Sequence, residues 1–85
     1  MAFNNIGSGT LAPGFENRIR CAVNFNGEDF GAQHLVAHPE SPGSEIIVLD
    51  QGKERAHDGQ IYYWSTLWNK SQVATAFSMQ GGGFA

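Results

Sequence analysis

Alternation of apolar and polar side chains is the feature of this chain that most constrains its fold. Apolar residues occupy every second position between residues 18 and 25, and a period of two recurs over residues 60–68 and 73–79. Such a period places one set of side chains on each face of a β-strand, whereas an amphipathic helix needs a period near 3.6. These three segments therefore predict β-strands.

Turn signals separate the predicted strands. Asn26-Gly27 directly follows the first alternating segment, and this dipeptide favours a two-residue turn with positive φ at both positions. We predict a hairpin whose first strand starts near Arg18 and whose return strand spans residues 29–38. The apolar run at 45–49 predicts a buried strand that ends in a turn over residues 50–52, followed by an exposed excursion over 53–59.

The fold class predicted from these signals is all-β, a compact small sandwich or barrel of about five to six short antiparallel strands. A helix over residues 61–68 is the alternative, but the density of Tyr, Trp and Ile favours a strand. We expect an extended N-terminal arm over residues 1–17 with one short strand near Thr10, then a single β domain over 18–79. Residues 80–85 are expected to form a flexible Gly-rich tail.

Charge and composition exclude several classes of protein. The net charge is −3, with five Lys and Arg residues, which disfavours nucleic acid as a partner because phosphate binding needs a basic surface. The chain has no apolar run long enough to insert in a membrane and no signal-peptide pattern at its start. A single cysteine, Cys21, excludes an internal disulfide. We expect synthesis in the cytoplasm, with release by lysis or in a particle left open.

The aromatic residues of the 60–68 segment are the best candidates for a binding site. Tyr62, Trp64 and Trp68 share one face of the predicted strand, and sugar rings stack their apolar faces on such side chains. The alternative is that this face is core or a subunit interface. We expect Trp68, at the strand end, to contact the ligand most directly, and Trp64, at mid-strand, to be packed by its neighbours. The predicted ligand-binding residues are Tyr62, Trp64, Trp68, Asn69, Asp50 and His57.

Other reactive side chains do not form a catalytic set. His34 and His38 would lie about 13 Å apart on a strand, too far to share a metal ion. Cys21 falls on the apolar phase of its strand and is predicted to be a small buried side chain. We therefore predict no enzyme activity, no metal and no cofactor.

Three classes of function remain. The first is a non-catalytic, lectin-like carbohydrate-binding protein that uses the aromatic face and polar loops. The second is a structural subunit such as a viral coat or decoration protein or a filament protomer. The third is a single-strand nucleic-acid-binding protein of the OB type, which the charge balance disfavours. The expected partners are a glycan or further copies of the chain, as a homo-oligomer.

Overall fold

The chain folds into an all-β sandwich, which confirms the predicted fold class. The computed structural model describes residues 2–3 and 5–83, and these contain no α-helix. The strands are β1 (Ala2–Phe3), β2 (Ser8–Leu11), β3 (Ile19–Val23), β4 (Gln33–Pro39), β5 (Ile46–Arg55), β6 (Ile61–Asn69) and β7 (Thr75–Gly83), with one 3-10 turn at Phe15–Asn17. Among these described residues, no helix is of the length and apolarity needed to cross a bilayer.

The strands form two sheets in which every strand pair is antiparallel. In sheet A, β7 is central, with β4 on one side and both β1 and β2 on the other. In sheet B, β6 is central between β3 and β5. Each sheet turns one face inward to the core and leaves the opposite face, called here its outer face, toward solvent.

The core lies between the two inner faces and is supplied by alternate residues of the central strands. Along β6, every second residue from Ile61 to Asn69 is buried, and the residues between them are half-buried. The period of two predicted for this segment is therefore present. The buried hydrophobic side chains are Leu11, Val23, Leu35, Ala37, Ile46, Ile61, Tyr63, Leu67, Phe77 and Met79.

The turn at Asn26-Gly27 forms, but the hairpin predicted around it is wrong. Asn26 has φ 57° and Gly27 has φ 78°, and the Glu28 amide donates to the Phe25 carbonyl over 3.1 Å. However, β3 pairs with β6 and β4 pairs with β7, so the flanking strands belong to different sheets. Phe25 contacts Phe30 and Tyr63 edge-to-face, and this packing takes the chain from sheet B across to sheet A.

The strand predicted over residues 45–49 is longer than its sequence pattern indicates. Instead of ending before a turn at 50–52, β5 continues to Arg55, and the tight turn lies at 56–60. A bulge at Leu49 allows this, because the register passes from Val48–Leu67 to Asp50–Thr66. The extra residue shifts the alternation by one position. Each later residue of β5 therefore lies on the face of the sheet opposite to the one it would occupy in a regular strand.

Both ends of the described chain are strands of sheet A. Residues 2–3 and 8–11 of the expected arm pair with β7, and the short strand predicted near Thr10 is β2. At the other end, β7 continues to Gly83, so residues 80–83 of the expected tail are paired with β4. Gly81 has a packing reason: a Cβ there would lie 3.1 Å from Leu35 Cδ2 and 3.3 Å from Ile6 Cδ1. The rest of that tail, residues 84–85, is outside the described part.

Candidate binding face

The outer face of sheet B carries the aromatic residues that the sequence singles out. Tyr62, Trp64, Thr66 and Trp68 are half-buried on this face, whereas the residues between them are buried in the core. Residues directly opposite one another in an antiparallel pair share a face. The register therefore adds side chains from both neighbouring strands to this surface: Arg20 and Ala22 from β3, and Ile47, Asp50, Gly52 and Glu54 from β5.

Trp64 stands at the centre of the face between two small residues. Its cross-strand partners are Ala22 on β3 and Gly52 on β5. These two partners are small, yet Trp64 is half-buried, and the expectation that neighbours on both sides pack it stays a prediction. The indole is held by its edge, where Nε1 donates to Glu54 Oε1 over 2.8 Å.

Charged groups surround the Trp64 ring. The guanidinium carbon of Arg20 lies 4.2 Å from the ring centroid, which is the geometry of a cation–π contact. The salt bridge found in the described part of the chain is that between Lys53 and Asp29, and it does not involve Arg20. Arg20 therefore presents hydrogen-bond donors beside the ring. Arg20 and Asp50 lie on either side of Thr66, and Asp50 presents acceptors.

Trp68 is half-buried, like Trp64, and has an aromatic neighbour. Phe15 meets it edge-to-face with a centroid separation of 5.6 Å, and the Arg18 guanidinium lies 4.4 Å from the Phe15 ring centroid. Trp68 Nε1 is buried and finds no acceptor among the described residues. The 3-10 turn thus places a ring against Trp68, so the expectation that Trp68 leads ligand contact has no support from its surroundings.

Tyr62 and Asp50 remain on the candidate face. The Tyr62 hydroxyl donates to Gln60 Oε1 over 3.4 Å, and Asn24 Nδ2 donates to the same oxygen over 2.9 Å. This small network fixes one end of the face beside the β5–β6 turn. Asp50 is exposed and lies opposite Thr66.

The structure does not bring Asn69 and His57 onto this face. Asn69 is buried, with 1% exposure. Its Nδ2 donates to the Leu11 and Val73 carbonyls, each over 2.9 Å, and its Oδ1 accepts from the Ser71 amide over 2.9 Å. This amide joins the end of β6 to two neighbouring segments and cannot reach a ligand. His57 is exposed on the β5–β6 turn, past the end of the strand ladder.

An ion pair and a buried phenol fasten the crossover loop beside sheet B. Lys53 Nζ lies 2.5 Å from Asp29 Oδ1. This hydrogen bond, with a further one from the Gly31 amide, lowers the pKa of Asp29, and it raises the pKa of Lys53. The Tyr63 hydroxyl donates to the Gly31 carbonyl over 2.7 Å and accepts from the Phe30 amide over 3.1 Å. The loop is thereby fixed against the edge of β5.

The remaining reactive groups lie away from the candidate face. His34 and His38 are exposed on the outer face of sheet A, where they pair with Gly82 and Ser78. Cys21 is half-buried, and its burial raises the pKa of the thiol. Within residues 2–3 and 5–83, no three His, Cys, Asp or Glu side chains are grouped closely enough to hold a metal ion.

Sequence reasoning missed Arg20, Gly52 and Glu54 as members of the face. Arg20 lies on the polar phase of the first predicted strand, so pairing that strand with the aromatic segment would have found it. Glu54 and Gly52 had no such signal, because their orientation depends on the bulge at Leu49.

Comparison with known proteins supplies no relative from which a function could be inferred. No protein-family model, no curated protein and no solved structure matches this chain. The geometry of the candidate face is therefore the basis for inferring a function.

Proposed function

We propose that the protein is a non-catalytic binding protein that holds a carbohydrate on the outer face of sheet B. The observation that carries the proposal is the Trp64 indole, which stands between Ala22 and Gly52 with Arg20 and Glu54 beside it. Sugars combine apolar C–H faces with hydroxyl groups, so they need an aromatic ring together with nearby donors and acceptors. This face offers both within one rigid sheet.

The charges on the face favour a neutral sugar over a nucleic acid. Asp50 and Glu54 flank the Gly52 position on β5, and carboxylates repel the phosphates of a single strand. Base stacking on Trp64 would place those phosphates near this acidic strand. We therefore propose a carbohydrate rather than the OB-type nucleic-acid ligand.

The same carboxylates support binding rather than hydrolysis. Asp50 and Glu54 are four residues apart on one strand, so their backbones are separated by about 13 Å. Glycosidases hold their two carboxyl groups roughly 5–9.5 Å apart across the scissile bond. Glu54 also accepts the Trp64 N–H, which gives it a positioning role.

A glycan array with three outer-face variants tests this proposal. We expect the wild-type protein to retain at least one neutral glycan, and Trp64→Ala, Arg20→Gln and Asp50→Asn each to weaken its binding at least tenfold. The matched control is His38→Gln on the outer face of sheet A, which should bind as wild type. Retention of no glycan, or equal binding by all four variants, would overturn the proposal.

Assembly with further copies is a second candidate, favoured by the exposed edge of sheet B. In the described chain β3 pairs with β6 alone, and Ile19 is 39% exposed although it lies on the inner face opposite Leu67. A second copy pairing along β3 would satisfy this edge and cover Ile19. This arrangement suits a structural subunit such as a coat protein or filament protomer.

Sedimentation across a micromolar concentration series tests the second candidate. We expect a species larger than the 9.2 kDa chain, and we expect Ile19→Lys to shift it toward the monomer. The matched control is Val36→Lys, which places the same charge on an exposed position of the other sheet. A monomer at every concentration would contradict assembly.

A further inference from the structure

A cleft beside Trp64 runs between the edges of the two sheets. It has a volume of about 330 Å³ and lies where β4 of sheet A approaches β5 of sheet B. Its walls are held together by Gln51, whose Oε1 accepts the Leu35 amide over 2.9 Å. The lining residues are Ala32, Gln33, Leu35, Gln51, Gly52, Lys53, Tyr63 and Trp64. The cleft is therefore continuous with the candidate carbohydrate face through Trp64.

Gly52 keeps this connection open. A Cβ at Gly52 would meet no atom within 4 Å, and Gly52 is not among the glycines with positive φ. Neither packing nor backbone conformation therefore requires glycine here, although glycine weakens a strand interior. A side chain at this position would instead project into open space beside the cleft, on the strand position opposite Trp64.

Gln33 supplies an unused acceptor in the cleft wall. Its Nε2 donates to the Phe30 carbonyl over 2.9 Å, which fixes the orientation of the amide. Its Oε1 is buried and receives no hydrogen bond from any residue the structure describes. A buried acceptor without a donor is unfavourable, so a shift of the Gln33 side chain that let a ligand hydroxyl in the cleft donate to this oxygen would be favoured.

The charge and size of the cleft define what it would take. Lys53 is paired with Asp29, so the described lining residues include no uncompensated cation to attract an anionic ligand. A volume of about 330 Å³ is near the lower end for small-molecule sites. These properties suit one neutral polyhydroxylated ring.

We propose that one ring of the bound glycan enters this cleft past Gly52, contacts the Trp64 indole and donates a hydroxyl hydrogen bond to Gln33 Oε1. The inference rests on the proposed carbohydrate-binding function and adds the subsite that selects the ring. Gly52 and Gln33 are then specificity-determining residues.

Two glycine-to-threonine variants test the subsite. Gly52→Thr and Gly7→Thr each add the same side chain in open space, but only Gly52 lines the cleft, and Gly7 lies beside sheet A. The probes are the methyl glycosides of glucose, galactose, mannose and N-acetylglucosamine, titrated by ligand-observed NMR. We expect one of them to bind the wild type, Gly52→Thr to lose at least tenfold in affinity with an unchanged or higher Tm, and Gly7→Thr to stay within threefold.

A second variant tests the proposed hydrogen bond to Gln33 Oε1. Gln33→Met keeps the length of the side chain and removes its oxygen, and we expect at least a tenfold loss of affinity for the same methyl glycoside. Equal binding by Gly52→Thr and wild type, equal losses in both Thr variants, or unchanged affinity in Gln33→Met would overturn the subsite. If no methyl glycoside binds while an arrayed glycan still depends on Trp64, the subsite is overturned and the carbohydrate-binding face stands.

Discussion

Asn69 shows how one side chain can join separate parts of a small sandwich. The residue follows the aromatic segment directly, where its sequence position suggests a polar group at the edge of a binding face. Its amide instead makes three hydrogen bonds in the interior, to Leu11, Val73 and Ser71. The sequence cannot reveal this, because the Leu11 carbonyl comes from a strand of the other sheet.

Removal of the Asn69 amide is therefore expected to destabilise the fold. Asn69→Ala leaves the Leu11 carbonyl without its side-chain donor and the Ser71 amide without its acceptor, whereas the Val73 carbonyl keeps the Thr75 hydroxyl. Each buried polar group without a partner costs about 1–3 kcal/mol. We predict a loss of about 3 kcal/mol in the free energy of unfolding, measured by urea denaturation. The control is Gln72→Ala in the following exposed loop, which should change stability by less than about 0.5 kcal/mol. A stable Asn69→Ala variant would refute the role in joining the sheets.

The ion pair of Asp29 and Lys53 gives a pH dependence of defined sign. The pKa of Asp29 is lowered in the folded protein by the hydrogen bond from Lys53, so its stabilisation is present above the unfolded pKa of about 3.9. That stabilisation is lost as the pH falls through the lower folded pKa. The pKa of Lys53 is raised. The stabilisation that Lys53 contributes is therefore present below its unfolded pKa and is lost as the pH rises through the folded pKa.

Asp29→Asn isolates this contribution. We predict that wild type is the more stable protein at neutral pH, and that the difference in Tm between the two shrinks as the pH falls below about 4. Asp58→Asn, at an exposed carboxylate of the β5–β6 turn, is the control. A difference between wild type and Asp29→Asn that stays constant down to pH 2 would show that the pair is not the cause.

At the scale of single elements, local patterns predict strands better than they predict strand partners. One face of β6 is buried, and the sequence shows this directly as an alternation of side-chain types. The structure has the same alternation at every residue of the strand. The partner of β3 is β6, far along the chain, and the extension of β5 depends on a bulge that forms against β6. Neither pairing leaves a local signal, so the hairpin and the turn at 50–52 were misassigned.

The turn at Asn26-Gly27 remains a strong local element even though it joins no hairpin. We predict that Gly27→Val lowers the free energy of unfolding by about 1 kcal/mol or more, because a β-branched residue is forced to positive φ. The new Cβ would also lie 3.0 Å from Gln60 Cγ. Gly52→Val is the matched control, since it adds the same side chain in open space. Equal melting temperatures for the two variants would show that the turn is not strained by a side chain.

At the scale of the whole molecule, the sandwich separates a packed interior from two unlike outer faces. The outer face of sheet B combines aromatic rings with both signs of charge. The outer face of sheet A carries histidines, glycines and short polar side chains. The sequence could assign the aromatic residues to one face from their spacing alone. It could not identify Gly52 and Gln33 as residues that line a cleft together with Trp64, because that cleft forms only when the two sheets meet.

Trp64, in the middle of this face, is the residue proposed to contact the carbohydrate. Trp64 and Trp68 are the two tryptophans of the chain, so a proton–nitrogen NMR spectrum should show two indole Nε1–H signals, assigned with Trp64→Phe and Trp68→Phe. On titration with a neutral glycan retained on the array, we predict a saturable shift of the Trp64 signal. The Trp68 signal should stay in place, because its Nε1 is buried beside Phe15. Saturable binding that moves the Trp68 signal alone, or neither signal, would contradict the account.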